Sequence, residues 1–199
     1  MVKRLVFLIT VIVAMAMPAM AQTWQIDTAH SAAHFAVRHN MIASVRGTFD
    51  KVTGTVEFDG KDITKAKISA TIDVATVNTR VQQRNDHLKT ADFFNVAKFP
   101  SMTFVSTSIT PAGPGKFKLN GNLTLLGVTK PVILDMDAPV GPFIDPQGVH
   151  HFGAQAVGKI KRTDFGMNWA NAVTVAGIVG IDISDEVAIT LDAEITRRP

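Results

Sequence analysis

A strict alternation of apolar and polar residues runs through many segments of this 199-residue chain. Between residues 65 and 74, the even positions are alanine or branched aliphatic residues and the odd positions are Lys, Ser, Thr or Asp. The same two-residue period recurs at 117–125 and, apart from Ala188, at 187–195. Successive side chains of a strand point to opposite faces, so each segment has one apolar and one polar face. Many such strands in one domain indicate an antiparallel sheet that curls on itself with its apolar faces inward.

The alternating segments predict strands that are separated by turn residues such as Asp59-Gly60 and Gly127. The predicted strands cover residues 24–27, 32–39, 45–58 with a bend, 65–74, 101–109, 116–126, 130–140, 150–161 and 186–197. The predicted fold class is all-β, an antiparallel up-and-down barrel of about eight strands with one short helical insertion. Several inward positions are Ala or Gly, which leaves room for a small ligand and favours a carrier of an apolar molecule.

Residues 1–21 have the features of a cleaved secretory signal peptide. Lys3 and Arg4 precede an apolar run over 5–17, and Ala19-Met20-Ala21 forms a small-x-small cleavage site. That run is too short to span a bilayer core of about 30 Å, although an uncleaved N-terminal anchor is the alternative. We therefore expect cleavage after Ala21, a periplasmic location and a single domain over 22–199.

Composition excludes several classes of function. Loss of Lys3 and Arg4 would lower the formal net charge from +3 to +1, and no broad basic surface for nucleic acid is evident. The chain has no cysteine, which excludes disulfides, thiol catalysis and thiolate metal sites. His34 and His39 have opposite parity on one predicted strand, so we expect no shared metal. We expect no cofactor and no catalytic residues, because no nucleophile elbow, P-loop or zinc-protease motif occurs.

The segment 78–100 breaks the strand pattern. Thr79 and Gln82 have the spacing of a capping box, in which two side chains satisfy the free N–H groups at the start of a helix. A short helix over about 80–89 is predicted, and Pro100 ends the segment. It is either a plug or lid over one end of the barrel or a connector on its surface.

Three basic residues of this segment, Arg80, Arg84 and His87, have a spacing that places them on one helical face. Such a row suits a phosphate or another polar head group, and a solvated helix face is the alternative.

The candidate ligand-binding residues are those on the apolar strand faces together with those of the helical segment. They are Phe35, Val37, Ile68, Ile72, Val74, Arg84, His87, Leu88, Phe93, Phe94, Phe104, Leu123 and Leu125.

Several motifs, taken in order along the chain, carry a resemblance to one family. They are WQIDTAHS at 24–31, FAVRH at 35–39, RGTF at 46–49, RNDHLKTADFFN at 84–95, GNLTLLGVTKPV at 121–132 and RTDFG at 162–166. Together they resemble the YceI-like family of exported lipid-binding proteins over nearly all of the chain after residue 21. The resemblance implies a lipocalin-like barrel with a long apolar tunnel for a polyisoprenoid chain, such as an isoprenoid quinone or a polyprenyl phosphate, and no set catalytic residues.

The resemblance also implies that the segment 84–94 lies near the tunnel. Asn85 departs from the aspartate that is more frequent in the family, which predicts the loss of a surface or helix-end interaction. Arg80 stands where relatives often have a small residue, so the basic row is not expected to be a family feature.

Three functions are therefore considered. The leading one is a periplasmic binding protein that holds an isoprenoid-type lipid as a carrier, reservoir or sequestering agent and is not an enzyme. The alternatives are an exported hydrolase or isomerase on the same barrel, and a stress-linked structural protein with an incidental cavity. Acidic and basic side chains that converge in the cavity would favour an enzyme. A continuous apolar tunnel would favour a carrier, and a barrel filled by side chains would favour a structural role. The expected partner is the lipid, without nucleic acid or metal, and a homodimer and transient membrane contact are left open.

Overall fold

The computed structural model describes residues 22–198, so the predicted signal peptide lies outside the described residues. The strands are β1 (Gln22–Ile26), β2 (Ala32–His39), β3 (Ala43–Phe49), β4 (Val52–Phe58), β5 (Lys67–Asp73), β6 (Val77–Asn78), β7 (Ser101–Pro111), β8 (Lys116–Leu125), β9 (Val128–Asp137), β10 (Val140–Ile144), β11 (His150–Lys161), β12 (Ala172–Val175), β13 (Ile178–Ile181) and β14 (Ile183–Arg197). The helix α1 spans Gln82–Lys89, and short 3₁₀ turns lie at Ile63–Lys65, Val74–Thr76 and Arg162–Phe165. In the described part of the chain, no helix has both the length and the apolar character needed to cross a membrane.

Most strand segments belong to one closed antiparallel barrel with eight strand positions. Three of the eight barrel strands are each interrupted and consist of two segments that follow one another in line. These pairs are β1 with β2, β3 with β4, and β5 with β6. In each pair, both segments form hydrogen bonds to the same adjacent barrel strand. The barrel closes at β14, which pairs with β11 on one edge and with β2 and β1 on the other. The predicted barrel of about eight strands with one short helix is confirmed, and the bend predicted within 45–58 separates β3 from β4.

The half of the barrel where β1 starts and β7 ends is filled by side chains. Trp24 is 2% exposed, and Phe152 packs edge-on against both Trp24 and Phe58 at centroid separations of 5.2 and 5.3 Å. The Trp24 indole N–H donates a 3.0 Å hydrogen bond to the Phe58 carbonyl oxygen, so its polar atom is satisfied in the core. Leu119 and Leu134 complete this cluster.

Two glycines make room for phenylalanine rings in the interior. A Cβ atom at Gly47 would overlap the ring of Phe35, and a Cβ atom at Gly121 would overlap the ring of Phe104. Each ring therefore lies over the backbone of the adjacent strand, which lets a large side chain fit inside a narrow barrel.

Two strand pairings were not predicted from the sequence. β10 adds to β11 and lies, apart from Val140, between the predicted strands 130–140 and 150–161. β12 and β13 form a separate hairpin. The turn residues of the β12–β13 hairpin, Ala176 and Gly177, have φ angles of +50° and +81°, the left-handed conformation that suits a two-residue hairpin turn. Thr174 is the one polar side chain in the hairpin sequence 172–181. The hairpin therefore lacks the apolar–polar alternation that identified the barrel strands.

We predict that Gly121→Ala lowers the free energy of unfolding by about 1–3 kcal/mol, because the new methyl group displaces the ring of Phe104. Gly153→Ala is the matched control, since a Cβ atom there meets nothing within 4 Å. Denaturant-induced unfolding of both variants measures the difference. Equal stability of the two variants would show that Phe104 does not depend on Gly121.

Candidate functional site

A cavity of about 320 Å³ occupies the half of the barrel beneath α1. Aliphatic and aromatic side chains of β2, β5, β7, β8, β9 and β14 form most of its wall. The wall includes eleven of the predicted candidates: Phe35, Val37, Ile72, Arg84, His87, Leu88, Phe93, Phe94, Phe104, Leu123 and Leu125.

Ile68 and Val74 were also expected to line the interior space, and neither belongs to the cavity wall. Ile68 shares the inward face of β5 with Ile72 but packs against the Trp24 cluster in the filled half. Val74 follows the end of β5 in a 3₁₀ turn and is buried at 1% exposure in the protein core. Strand parity fixes the face of Ile68 but not its height along the barrel, and it does not apply to Val74 beyond the end of β5. Both residues lie in the interior, as the pattern predicts, but outside the cavity wall.

The wall contains further residues that were not among the candidates. Most lie on the inward faces of strands, where parity was the available signal, and four belong to the chain between β11 and β14. They are Ala33, His34, His39, Val45, Phe49, Met102, Val132, Leu134, Ile160, Arg162, Met167, Trp169, Asp182, Ile183, Val187, Ile189 and Leu191. The loop residues Met167 and Trp169 lie outside any periodic segment, so no comparable sequence signal identifies them.

Three rings cover one end of the cavity. The rings of His87, Phe93 and Trp169 contact one another with centroid separations of 5.0 to 5.1 Å. His87 and Phe93 belong to the segment 78–100, whereas Trp169 belongs to the loop after β11. The segment 78–100 therefore lies over one end of the cavity, as the plug or lid interpretation requires, and is not a connector on the outer surface.

The predicted capping box does not form. The helix is preceded by Val81, which supplies no side-chain cap, and Gln82 instead hydrogen-bonds Asp86. Thr79 is buried, and its hydroxyl donates a 2.7 Å hydrogen bond to Asn85 Oδ1, which also accepts from the Thr79 N–H. Asn85 thus fixes the chain before α1 from inside. The loss of a surface or helix-end interaction relative to an aspartate stays a prediction.

The predicted basic row is also broken. Arg80 precedes α1 with a φ of +67° and is exposed, so it does not share a helical face with Arg84 and His87. Arg84 donates from Nε to the Thr79 hydroxyl and from Nη2 to the Thr79 carbonyl oxygen, each at 2.8 Å. His87 Nε2 lies 2.9 Å from Asp92 Oδ2. Of the three, Arg84 and His87 reach the cavity wall.

A buried arginine fastens the loop that carries Trp169. Arg162 is 3% exposed, and its Nη1 donates to the carbonyl oxygens of Met167 and Trp169 at 2.7 and 2.8 Å. Its Nε and Nη2 donate to the carbonyl oxygens of Ser184 and Ile183, both at 3.1 Å. Burial lowers the pKa of Arg162. The guanidinium therefore joins the cover of the cavity to the start of β14 through uncharged acceptors.

The carboxylate of Asp182, which lies in the cavity wall, is held by the neighbouring residue Asn171. Although burial acts in the opposite direction, hydrogen bonds from Asn171 lower the pKa of Asp182. The Asn171 N–H and side-chain amide donate to the two Asp182 carboxylate oxygens at 2.8 and 2.9 Å. Asp182 is therefore poised as an ionised, internally bonded carboxylate, which does not suit a general acid.

A second polar cluster lies on the outer surface, away from the cavity wall. His151 Nδ1 is 2.7 Å from Glu194 Oε1, and its Nε2 is 3.3 Å from Asp145 Oδ2. The hydrogen bond to Glu194 makes the largest contribution to raising the pKa of His151, and the contact with Asp145 acts in the same direction. Asp27, His30 and Glu194 each place one possible metal-ligand atom within 4.8 Å of the others. Each of them is already hydrogen-bonded within the protein, so the cluster is accounted for as an ion-pair network.

Comparison with known proteins gives consistent matches. The family model described as YceI-like domain matches residues 24–195. Protein YceI of Salmonella newport is 41% identical over 149 residues, which cover 74% of this chain and 77% of that protein.

Solved structures share the fold. BcnA of Burkholderia cenocepacia has a TM-score of 0.69 at 25% identity, over 85% of this chain and 98% of that one. A polyisoprenoid binding domain from Saccharophagus degradans, implicated in plant cell wall breakdown, has a TM-score of 0.63 at 18% identity, over 90% of this chain and 99% of that one.

We predict that Arg162→Met lowers the free energy of unfolding by about 2–4 kcal/mol, because four carbonyl oxygens, in one buried and three partly buried hydrogen bonds, lose their donors. Arg38→Met is the control, since Arg38 is exposed on β2. Thermal and denaturant unfolding measure both variants. If the two substitutions cost the same, the carbonyl contacts of Arg162 are not what hold this loop.

Proposed function

This chain belongs to the YceI-like family, and from that premise we propose that it is a periplasmic binding protein for an isoprenoid-type lipid. In this proposal the lipid occupies the cavity beneath α1, and the protein acts as a carrier, reservoir or sequestering agent. The observation that carries the proposal is the cavity of about 320 Å³ with a largely aliphatic and aromatic wall. Its size falls in the range of about 300–1,000 Å³ that is typical of small-molecule sites.

The wall favours a ligand whose bulk is hydrocarbon. Leu123, Ile72 and Val187 represent the aliphatic surface that such a ligand would contact. Burial of each CH₂ group contributes about 0.8 kcal/mol before ordering costs, so a chain of several isoprene units binds without ionic contacts. The cavity stops at the level of Leu134, because the Trp24 cluster fills the other half of the barrel. A long chain would therefore enter and leave at the same end.

The head group is proposed to lie beside Arg84 and His87. Both hydrogen bonds that Arg84 makes within the described chain go to Thr79, an uncharged residue, so no direct carboxylate contact neutralises the guanidinium there. A phosphate oxygen would gain a charge-assisted hydrogen bond from Arg84. His39 lies in the same wall, on β2, and offers a further polar group.

The two alternative functions have less support. A hydrolase or isomerase needs groups with matched pKa values around one reacting atom, whereas Asp182 is internally bonded and Arg162 is surrounded by carbonyl oxygens. A purely structural barrel would be filled along its length, as it is around Trp24 but not beneath α1. The polyisoprenoid-binding domain described above supports the choice of ligand class, because the same barrel serves that purpose in another protein.

The cellular location is proposed from the sequence. Residues 1–21 act as a signal peptide that is cleaved after Ala21, and residues 22–199 form the mature domain. Lys3, Arg4 and the Ala-Met-Ala site support this proposal.

We predict that Val37→Trp abolishes lipid binding by filling the cavity, because Val37 lies in the wall opposite Val187 on the neighbouring strand. Val157→Trp, at an exposed position on β11, is the matched control. Native mass spectrometry followed by organic extraction of the protein purified from its own cells measures bound lipid. Full lipid content in a folded Val37→Trp variant would refute the cavity as the binding site.

We predict that Arg84→Met weakens binding of a polyprenyl phosphate by about 1–3 kcal/mol, the scale of a lost charged hydrogen bond. Binding of the matching polyprenol, which lacks the phosphate, should change much less. Titration of both ligands, with melting temperature recorded on the same samples, separates head-group recognition from the contact between Arg84 and Thr79. An equal loss for both ligands, accompanied by a lower melting temperature, would assign Arg84 a structural role instead.

A further inference from the structure

We propose that the end of the barrel that holds the cavity docks on the surface of an anionic phospholipid bilayer. The docking surface, here named the mouth patch, consists of Met41 and Ile42 in the β2–β3 turn and Ile178, Val179 and Ile181 on β13. The inference rests on the proposed function, because a protein that exchanges a membrane lipid has to meet the membrane that holds it.

The mouth patch exposes an unusual amount of aliphatic surface. The exposed fractions are 67% for Ile42, 64% for Ile178 and 76% for Val179. Residues 172–181, which include both strands of the β12–β13 hairpin, contain no charged residue. Contiguous aliphatic surface of this kind on a soluble domain marks a site of interaction.

The two parts of the patch are held together. A Cβ atom at Gly180 would overlap the Met41 sulfur, so the side chain of Met41 lies directly against the β12–β13 hairpin. The Asn40 N–H donates a 2.8 Å hydrogen bond to the Asp182 carbonyl oxygen, which joins the base of the hairpin to the β2–β3 turn. Because side chains alternate along a strand, Ile178 lies on the hairpin face that meets Met41, and Val179 and Ile181 lie on the opposite face. The hairpin therefore exposes aliphatic residues on both faces beside the β2–β3 turn.

The patch lies next to residues of the cavity wall. His39 and Ile183 pair across β2 and β14, and both lie in the cavity wall. Both residues are close in sequence to the mouth patch: His39 is two residues before Met41, and Ile183 is two residues after Ile181. A bilayer that contacts the patch would therefore lie next to the opening through which the proposed lipid passes.

The charges around the patch favour an anionic bilayer. Residues 32–49, which form the β2–β3 hairpin, contain no carboxylate, and Arg38 and Arg46 are exposed there. Arg38 Nη2 donates a 3.0 Å hydrogen bond to the Met41 carbonyl oxygen, so its charge lies at the edge of the aliphatic surface. Two carboxylates lie nearby, and both are hydrogen-bonded within the protein: Asp182 accepts from Asn171 and Asp185 accepts from Thr163. Aliphatic residues flanked by basic side chains suit the interface of a bilayer with anionic lipids.

Another exposed apolar surface provides the contrast. Phe143 and Ile144 on β10 are 62% and 54% exposed and lie at the filled end of the barrel, remote from the cavity. Phe143 packs on His151, and the polar network of that residue holds two carboxylates, Asp145 and Glu194. This second surface is remote from the cavity, so a bilayer that exchanges the proposed lipid is not its expected partner.

The experiment compares two double variants of the mature protein in vesicle flotation. Ile178→Ser with Val179→Ser removes the hairpin part of the patch, and Phe143→Ser with Ile144→Ser is the control at the other end. Vesicles are made of phosphatidylcholine alone or with about one quarter phosphatidylglycerol. Wild type should float with the anionic vesicles, the patch variant should bind at least about tenfold more weakly, and the control should bind like wild type.

Two further variants test the two halves of the argument. Ile42→Ser, in the other element of the patch, should also weaken flotation, which keeps the test valid if the hairpin variant misfolds. Arg38→Gln with Arg46→Gln should weaken binding to anionic vesicles by about tenfold and leave binding to neutral vesicles unchanged.

The proposal is overturned if wild type does not float with anionic vesicles, or if the β10 control loses as much binding as the patch variant. It is also overturned if wild type is a dimer that the patch variant dissociates, because the patch would then be an interface between copies of this chain. Lipid extraction from the same samples keeps the proposed function separate. A patch variant that fails to float yet retains its bound lipid leaves the binding function intact.

Discussion

The backbone hydrogen bonds of β14 are the constraint on which the barrel depends. Its residues pair with β11 from His150↔Arg197 to Lys161↔Glu186, and its other edge is shared between β2 and β1. With both edges occupied, the sheet has no free edge at its point of closure, and the apolar faces of all strands are turned to one interior. β1 and β2 share one edge of the long strand β14 and are separated by a break. Asp27 and His30 form their surface hydrogen bonds in this break.

A closed barrel of this size has a small interior, and two solutions to filling it are present in one molecule. In one half, Trp24, Phe58 and Phe152 pack edge-on and occupy the space with protein. In the other half, the strand side chains line a cavity instead of filling it, and three rings, His87 and Phe93 of the segment 78–100 and Trp169 of the loop after β11, supply its cover. The cover is fixed by polar contacts at its edges, from Arg162 on one side and from Thr79 with Asn85 on the other. These hydrogen bonds to backbone carbonyls and buried polar groups hold the cover in place. The cover therefore does not need side chains of the wall to fill the space beneath it.

The sequence was sufficient for the barrel because a two-residue period defines which face of each strand is buried. It placed Ile72 and Leu123 in the interior, and the structure has both in the cavity wall. It could not separate Ile68 from Ile72, since a residue's height along the barrel depends on strand tilt and register, which parity does not contain. It also missed Trp169, which reaches the cavity from a loop, and misjudged Thr79, whose hydroxyl is engaged by Asn85 and Arg84 rather than by the helix end. Such contacts are formed between segments whose approach only the folded chain defines.

The pairing of β1 with the end of β14 has a consequence for the order of folding. Gln25 pairs with Thr196 and Ile26 with Ile195, so the first and last strands of the described chain are neighbours. A nascent or translocating chain cannot complete these pairs until its last residues have emerged, and contacts between distant parts of a sequence form slowly. Until then β11 and β2 present open strand edges that invite pairing with other chains. Aggregation during synthesis, rather than instability of the finished barrel, is thus the characteristic hazard of this topology.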